Sequence, residues 1–192
     1  MSQNSRSLQD LSSASTLNRR GYFIIGAERI SKSLNLGNIL RSAHAFGASF
    51  TFTVGATYKA LEAHADTSKS QHHVPHFNWN TVEDLILPQG AKLIGVEVVP
   101  DAILLPNFKH PPQAAYVFGP EKGCLSEALL SRCDYVVKIP MSFCVNVAIA
   151  AAIVMYDRTK SLSNFSARPF TESTPMLDRD PSPEAKFPKT SA

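Results

Sequence analysis

The chain has 192 residues, of which 44% are hydrophobic and 18% are charged, so it can bury the core of one domain and is not a disordered polyelectrolyte. The formal net charge is +3; residues 1–20 supply +2, the basic and acidic side chains of residues 163–192 cancel, and the body keeps +1. A nucleic-acid partner would therefore have to be recognised by a local basic patch rather than by bulk charge.

Both ends of the chain are predicted to be disordered tails. Residues 1–20 contain no apolar run and are not a secretory signal, although a transit peptide is also Ser-rich, Arg-bearing and poor in acids. Residues 163–192 are rich in Ser, Thr and Pro and lack hydrophobic periodicity. No stretch reaches the roughly 18 apolar residues that a membrane span needs. The three cysteines have no C-x-x-C spacing, which indicates reduced thiols and a cytoplasmic protein.

Between the tails, residues 21–162 alternate between short apolar runs and helical patterns. This alternation predicts one α/β domain with a largely parallel sheet, in which ligands bind at the carboxyl ends of the strands. The segment from Thr81 to Asp84 has the spacing of a capping box, which favours a helix there. The predicted strands are Tyr22–Ile25, Phe50–Val54, Lys92–Val98, Ala114–Phe118 and Tyr135–Ile139, and the predicted helices are Ser33–Phe46, Thr81–Leu87, Ser126–Cys133 and Asn146–Thr159.

The first predicted helix has a polar face. At 100° per residue its apolar side chains fall on one arc, and the opposite arc holds Asn35, Asn38, Arg41 and Ser42. A solvated surface explains this pattern. A surface that binds phosphate or another polar ligand explains it too, because arginine can hold a phosphate through two parallel hydrogen bonds. Gly47 is placed to end the helix.

A glycine turn separates the strand Ala114–Phe118 from the helix predicted at Ser126. Gly119 and Gly123 would let a ligand approach the backbone closely, and an ordinary structural turn would explain them equally well. The pattern of a phosphate loop is absent from this turn. Glu121 is either a solvated charge or a group that orients a substrate or a neighbouring side chain.

The third segment is a short loop between two buried elements. Pro140 ends the last predicted strand, and residues 141–145 form a mostly apolar loop that leads to an alanine-rich helix with Asn146 as its candidate N-cap. Such a loop suits the adenine ring of a cofactor, and the alanines give a slim helix that can pack closely. A core helix with an ordinary cap is the alternative.

Histidine and cysteine chemistry is not indicated. His72, His73 and His76 lie close in sequence, but no cysteine or carboxylate completes a metal-binding set, so a loop with RNA-facing rings is favoured. Cys124 or Cys144 as a nucleophile would need a dedicated base, and the sequence identifies none. We therefore expect no metal site.

Taken in order, the three segments resemble the SpoU-type (TrmH-like) branch of the SPOUT RNA methyltransferases. That branch carries N-x-G-x-x-x-R, then an F-G-x-E-x-x-G-like turn, then I-P-M followed by L-N-V-S-x-A. The resemblance covers about residues 21–162. The matching residues are Asn35, Gly37 and Arg41, then Phe118, Gly119 and Glu121, then Ile139-Pro140-Met141 and Val145-Asn146-Val147-Ala148.

The resemblance implies an α/β knot, in which the C-terminal segment of a parallel-sheet domain forms a deep trefoil knot. It implies a homodimer that uses S-adenosylmethionine, without a metal, to methylate a ribose 2′-hydroxyl of tRNA or rRNA. Arg41 would act at the ribose, with Asn35, Glu121 and Asn146 in support. Because a guanidinium hardly loses its proton, Arg41 is expected to hold the adjacent phosphate and stabilise the developing alkoxide. The implied cofactor contacts are Val96, Glu97, Gly119, Ile139, Met141, Cys144 and Val145.

The chain departs from the family pattern at three places. Only four residues separate Met141 from Asn146, where the family usually has a longer loop. Cys144 and Ala148 stand where the family has serines, and Cys124 takes the place of the last glycine in the middle turn. The short loop and the near-neutral charge of the body suggest an alternative function, a knotted RNA-binding protein that no longer transfers a methyl group. A flavodoxin-type nucleotide-binding protein is a weaker alternative.

Overall fold

The computed structural model describes residues 21–57 and 73–163. Residues 1–20, His72 and all of the predicted C-terminal tail except Ser163 lie outside the described residues, so the predictions for them do too. The strands are β1 (Tyr22–Glu28), β2 (Phe50–Val54), β3 (His76–Trp79), β4 (Lys92–Val96), β5 (Ile103–Leu104), β6 (Gln113–Phe118) and β7 (Tyr135–Lys138). The helices are α1 (Ser33–Phe46), α2 (Glu127–Leu130) and α3 (Val147–Leu162), with a 3-10 turn at Leu105–Asn107.

The described strands form one parallel sheet in the order β3-β2-β1-β6-β4-β7-β5. This result confirms the predicted parallel α/β sheet. The order differs from that of a flavodoxin-like sheet, in which the first strand lies between the second and the third. The central strands are buried on both faces, as their continuous apolar runs predicted.

Helices α1 and α3 pack against each other on one face of the sheet. Helix α1 buries Leu36, Ile39, Leu40 and Ala43, and Gly47 ends it in a left-handed conformation with φ 76°, as predicted. The small side chains of α3 let the two helices approach closely. The turn at residues 82–85 and the helix α2 cover the opposite face.

The predicted helix Thr81–Leu87 is wrong. The capping-box contacts form, because the Asp84 carboxylate accepts from the Thr81 amide at 3.1 Å and from its hydroxyl at 2.9 Å. Only one turn follows, since the Arg132 guanidinium binds the carbonyl oxygens of Val82 and Leu85, which a helix would need as acceptors. A local signal therefore gave a turn that a distant arginine completes.

Strand β3 was not predicted, because its segment read as a loop. It pairs with β2, and the buried Thr51 and Thr53 reach its side chains: the Thr51 hydroxyl lies 2.8 Å from Nδ1 of His76, and the Thr53 hydroxyl donates to Oδ1 of Asn78 at 2.7 Å. The predicted helix Ser126–Cys133 is shorter in the structure, where α2 ends at Leu130. The chain returns to the sheet at Asp134, whose backbone amide donates a hydrogen bond to the Leu93 carbonyl oxygen.

A buried polar network ties the end of α3 to the amino-terminal edge of the sheet. The His110 imidazole lies 2.6 Å from the Tyr116 hydroxyl and 2.9 Å from the Asp157 carboxylate. Burial raises the pKa of Tyr116 to about 12, so its hydroxyl stays protonated at neutral pH while it shares a hydrogen bond with Nδ1 of His110. Arg158, which is 2% exposed, donates to the carbonyl oxygens of Pro111 and Pro112. None of the helices in the described part of the chain is long and apolar enough to cross a membrane.

Candidate active site

A cavity of about 420 Å³ opens at the carboxyl ends of β4, β6 and β7, beside the start of α3. Its volume lies within the range of small-molecule sites in proteins. The three sequence segments converge there, as expected from the rule that ligands bind at the carboxyl ends of parallel strands. Each of the expected cofactor contacts lines it: Val96, Glu97, Gly119, Ile139, Met141, Cys144 and Val145.

Glu121 joins the middle turn to the start of α1. Its Oε2 accepts from the amide and the hydroxyl of Ser31, at 3.0 and 2.9 Å, and its Oε1 accepts from the Lys32 amide at 3.0 Å and from Nδ2 of Asn35 at 2.9 Å. Burial acts to raise the pKa of Glu121, but these hydrogen bonds outweigh it and hold the pKa below its ordinary value. The carboxylate is therefore an ionised clamp rather than a solvated charge.

Asn35 and Asn146 extend this clamp to the third segment. Oδ1 of Asn35 accepts from Nδ2 of Asn146 at 2.9 Å, while Oδ1 of Asn146 accepts from the Ala148 amide at 2.8 Å and caps α3, as predicted. Asn35 is 4% exposed, so the polar arc of α1 is not uniformly solvated. One hydrogen-bond chain therefore runs through Glu121, Asn35 and Asn146, the residues expected to support the reaction.

The wall of the cavity after Gly119 is held by side chains from β1 and β4. Oε2 of Glu97 accepts from the Leu125 amide at 2.8 Å, and Oε2 of Glu28 accepts from the Ser126 amide at 2.8 Å. A methyl group added to Gly119 would lie 3.1 Å from the Leu125 nitrogen and 3.2 Å from Oε2 of Glu97. A side chain at this position would force the Leu125 backbone or the Glu97 carboxylate to shift by a few tenths of an ångström, so glycine suits the tight wall.

Sequence reasoning missed two lysines that line the cavity. Lys138, at the end of β7, donates to the carbonyl oxygens of Val99 and Pro100 at 3.1 and 2.9 Å and so fixes the loop after β4. Lys32 precedes α1 at the cavity mouth. Lys138 could have been identified as a cation at the carboxyl end of a buried strand. Lys32 had no such signal, because it precedes the helical positions, from Asn35 onward, whose polar face was considered.

Arg41 does not line this cavity. It is exposed on α1. A second, apolar groove of about 690 Å³ lies between α1 and α3, and Arg41 is not among its lining residues. Leu34 and Ile149 line that groove and are 59% and 54% exposed, and Tyr156 at its far end is 55% exposed. The structure thus brings together every expected site residue except Arg41.

Metal ligation and disulfides have no support in the described part of the chain. In residues 21–57 and 73–163 no group of three or more His, Cys, Asp or Glu side chains could hold a metal ion. Cys124, Cys133 and Cys144 are free thiols. Burial raises the pKa of Cys133 to about 11, which disfavours the reactive thiolate.

The chain matches one known protein family. The profile of the SpoU rRNA Methylase family matches residues 22–156, and the chain belongs to that family. This match also rules out the flavodoxin-type alternative. No curated protein matches the chain.

Several solved structures share the fold. AdoMet-bound rRNA methyltransferase from Sinorhizobium meliloti is 24% identical with a TM-score of 0.67, over 74% of this chain and 57% of that protein. An RNA 2′-O ribose methyltransferase is 24% identical with a TM-score of 0.63, over 74% and 57%. The A. aeolicus TrmH/SpoU tRNA modifying enzyme is 19% identical with a TM-score of 0.64, over 80% and 82%. The chain thus spans less than two thirds of the first two proteins.

Proposed function

We propose that the chain transfers a methyl group from S-adenosylmethionine to a ribose 2′-hydroxyl of tRNA or rRNA. The observation that carries this proposal is the meeting of the three family segments around one cavity at the carboxyl ends of β4, β6 and β7. The S. meliloti relative was solved with AdoMet bound, and another similar protein is an RNA 2′-O ribose methyltransferase.

The residues of the cavity fit this cofactor. Gly119 lines the cavity without a side chain of its own, and the loop of Met141, Cys144 and Val145 offers the apolar surface that an adenine ring needs. Val96, Glu97 and Ile139 complete the proposed binding site. The sulfonium of the cofactor supplies a reactive methyl group, so the protein's task is to position the two reactants. Both carboxylate oxygens of Glu97 accept hydrogen bonds from backbone amides, so we assign Glu97 the role of holding the wall of the binding site.

Arg41 is the proposed catalytic residue. Methyl transfer would join the ribose oxygen to the methyl carbon and break the sulfur–carbon bond, leaving a neutral thioether, while the hydroxyl proton passes to water. A guanidinium beside the ribose would stabilise the developing alkoxide and hold the neighbouring phosphate. Asn35, Glu121 and Asn146 would keep α1 fixed relative to the cofactor through their hydrogen-bond chain.

We propose that the protein acts as a homodimer. The position of Arg41 outside the cofactor cavity supports a site completed by a second copy, and the apolar groove between α1 and α3 gives that copy a surface to cover. Clustered exposed apolar side chains such as Leu34 and Ile149 favour burial in an interface. Sedimentation equilibrium of the full chain tests the dimer, and a monomer at micromolar concentration would contradict it.

Three further expectations belong to the same proposal. The catalytic domain would span residues 21–162, with tails at 1–20 and 163–192, and the match to residues 22–156 supports this division. The segment from β7 into α3 would pass through a deep trefoil knot, for which the family membership is the support. The free thiols favour a reducing compartment, the cytoplasm. A crystal structure of the full chain tests the knot.

Calorimetry with S-adenosylmethionine separates the proposal from an RNA-binding protein that no longer methylates. We expect a saturable heat of binding for the full chain. The capped α3 and the intact Gly119 wall support retention of cofactor binding in spite of the short 142–145 loop. Absence of binding at millimolar cofactor, together with retained RNA binding, would favour the alternative.

A further inference from the structure

A second recess lies beside the proposed cofactor cavity. It has a volume of about 250 Å³ and is lined by Arg29, Ser31, Lys32, Pro120, Glu121 and Lys122. We propose that this basic recess binds a phosphate of the RNA chain next to the nucleotide that is methylated. The inference rests on the proposed function, because it takes the substrate to be RNA.

The recess is electrostatically positive although Glu121 lines it. Both oxygens of Glu121 are occupied by donors from residues 31–35. Among the described residues, the ammonium groups of Lys32 and Lys122 have no hydrogen-bond or ion-pair partner, and both side chains are exposed. Two lysines and one arginine thus face a single carboxylate that is already satisfied. This balance favours an anion with several acceptor oxygens.

Arg29 is held in an unusual backbone conformation at the edge of this recess. Its φ of 51° lies in the left-handed region, which a non-glycine residue adopts at a cost of about 1 kcal/mol or more. The Arg29 amide donates to the Val54 carbonyl at 2.7 Å, and its Nη2 donates to the Cys124 carbonyl at 2.7 Å. The side chain is still 51% exposed, and its other donors can reach a ligand.

The buried neighbour Glu28 offsets part of this charge, since three cations and two carboxylates leave a net formal charge of +1 at the recess. Glu28 is 2% exposed and its oxygens bind the amide and hydroxyl of Ser126, at 2.8 and 2.5 Å. Its Oε2 also forms an ion pair with Nη2 of Arg29 at 3.7 Å. Glu28 therefore braces the turn while the guanidinium edge remains available.

The recess shares a wall with the proposed cofactor cavity. Both are lined by Lys32, Pro120 and Glu121. A strand whose ribose enters the cofactor cavity would carry a neighbouring phosphate over this shared wall. Phosphate contacts fix the register of a nucleic acid without reading its sequence. The basic recess would thus set which ribose reaches the methyl group, and it supplies the local patch that the low net charge requires.

The test is the salt dependence of RNA binding by the full chain. We choose Lys122→Glu because Lys122 lines the recess and not the cofactor cavity. The matched control is Lys109→Glu. Lys109 is exposed and precedes β6, so it lies toward the amino ends of the strands, whereas the recess lies at their carboxyl ends. The affinity for bulk tRNA is measured by filter binding across a range of KCl concentrations, and the affinity for S-adenosylmethionine by calorimetry.

In Lys122→Glu we expect the slope of log affinity against log salt to shrink by about 1, as for one lost phosphate contact. Affinity for S-adenosylmethionine should be unchanged, and Lys109→Glu should keep the wild-type slope. Arg29→Gly should also reduce the steepness of this dependence, and glycine adopts the left-handed backbone conformation of this position without strain. An equal slope in wild type, Lys122→Glu and Arg29→Gly would refute phosphate binding in the recess and would leave the proposal of methyl transfer standing. Absence of S-adenosylmethionine binding by the wild-type protein would instead refute the proposed function.

Discussion

Replacing Glu121 with glutamine tests the clamp that joins the three segments. The carboxylate accepts four hydrogen bonds, two at each oxygen. An amide has one acceptor oxygen, so Glu121→Gln must turn its nitrogen toward one pair of donors. The Ser31 side is less unfavourable, because the Ser31 hydroxyl can rotate and accept. The Ser31 amide then loses its partner, and the Lys32 and Asn35 bonds become neutral.

The expected loss follows from the bonds. A hydrogen bond to a charged group contributes about 1.5–3 kcal/mol and a neutral one about 0.5–1.5 kcal/mol, so two weakened bonds cost about 2 kcal/mol. Water can replace Glu121 at the exposed Ser31 amide, which adds little. We therefore expect the free energy of unfolding to fall by about 2 kcal/mol at neutral pH.

The pH dependence of this loss is the sharper test. Because the folded pKa of Glu121 is depressed, its contribution is full above the unfolded pKa and is lost as pH falls through the folded pKa. The difference between wild type and Glu121→Gln, measured by urea unfolding, should be full above pH ~5 and shrink below pH ~4. Glu83→Gln, at an exposed glutamate, is the control. A difference that stays constant into acid would refute the ionised clamp.

Four other substitutions probe the account. Arg41→Ala should keep its affinity for S-adenosylmethionine and lose at least ~100-fold in the rate of methyl transfer, and Arg41→Lys should not restore the rate; a normal rate in Arg41→Ala would exclude the role of Arg41. Gly119→Ala should weaken cofactor binding and lower stability by about 1–3 kcal/mol, because its methyl group meets Leu125 and Glu97, and unchanged calorimetry would contradict the tight wall. Ile149→Glu should dissociate the dimer in sedimentation, whereas Lys160→Glu at the exposed end of α3 should not. Burial lowers the pKa of His110 in the folded protein, so below pH ~6.5 the unfolded imidazole binds a proton that the folded one does not, and the wild type loses stability. His110→Gln should therefore show a smaller fall in melting temperature below pH ~6.5. An equally steep fall would show that His110 is not its cause.

Local patterns predicted much of the architecture. The apolar runs located the central strands, the wheel of α1 identified its buried side, and Gly47 and Asn146 were correctly placed as a helix end and an N-cap. These features depend on neighbours within a few residues. The residues singled out by the motif comparison line one cavity at the carboxyl ends of the strands, because parallel-sheet connectivity brings those ends together.

The features that the sequence did not reveal depend on distant partners. Glu121 meets its donors across 86 to 90 residues, and Arg132 reaches the carbonyl oxygens of the Thr81 turn across about 50. Strand β3 is short and partly exposed, and its polar side chains are explained only by the threonines of β2. The exclusion of Arg41 from the cavity reflects the placement of α1, which no pattern within α1 encodes.

The central claim is methyl transfer to a ribose. Its most direct measurement incubates the full chain with bulk RNA and S-adenosylmethionine carrying an isotopically labelled methyl group, then digests the RNA to nucleosides for mass spectrometry. The account predicts the label in a 2′-O-methylated nucleoside, and its loss in Arg41→Ala. Label on a base, or cofactor binding without label in RNA, would contradict the account.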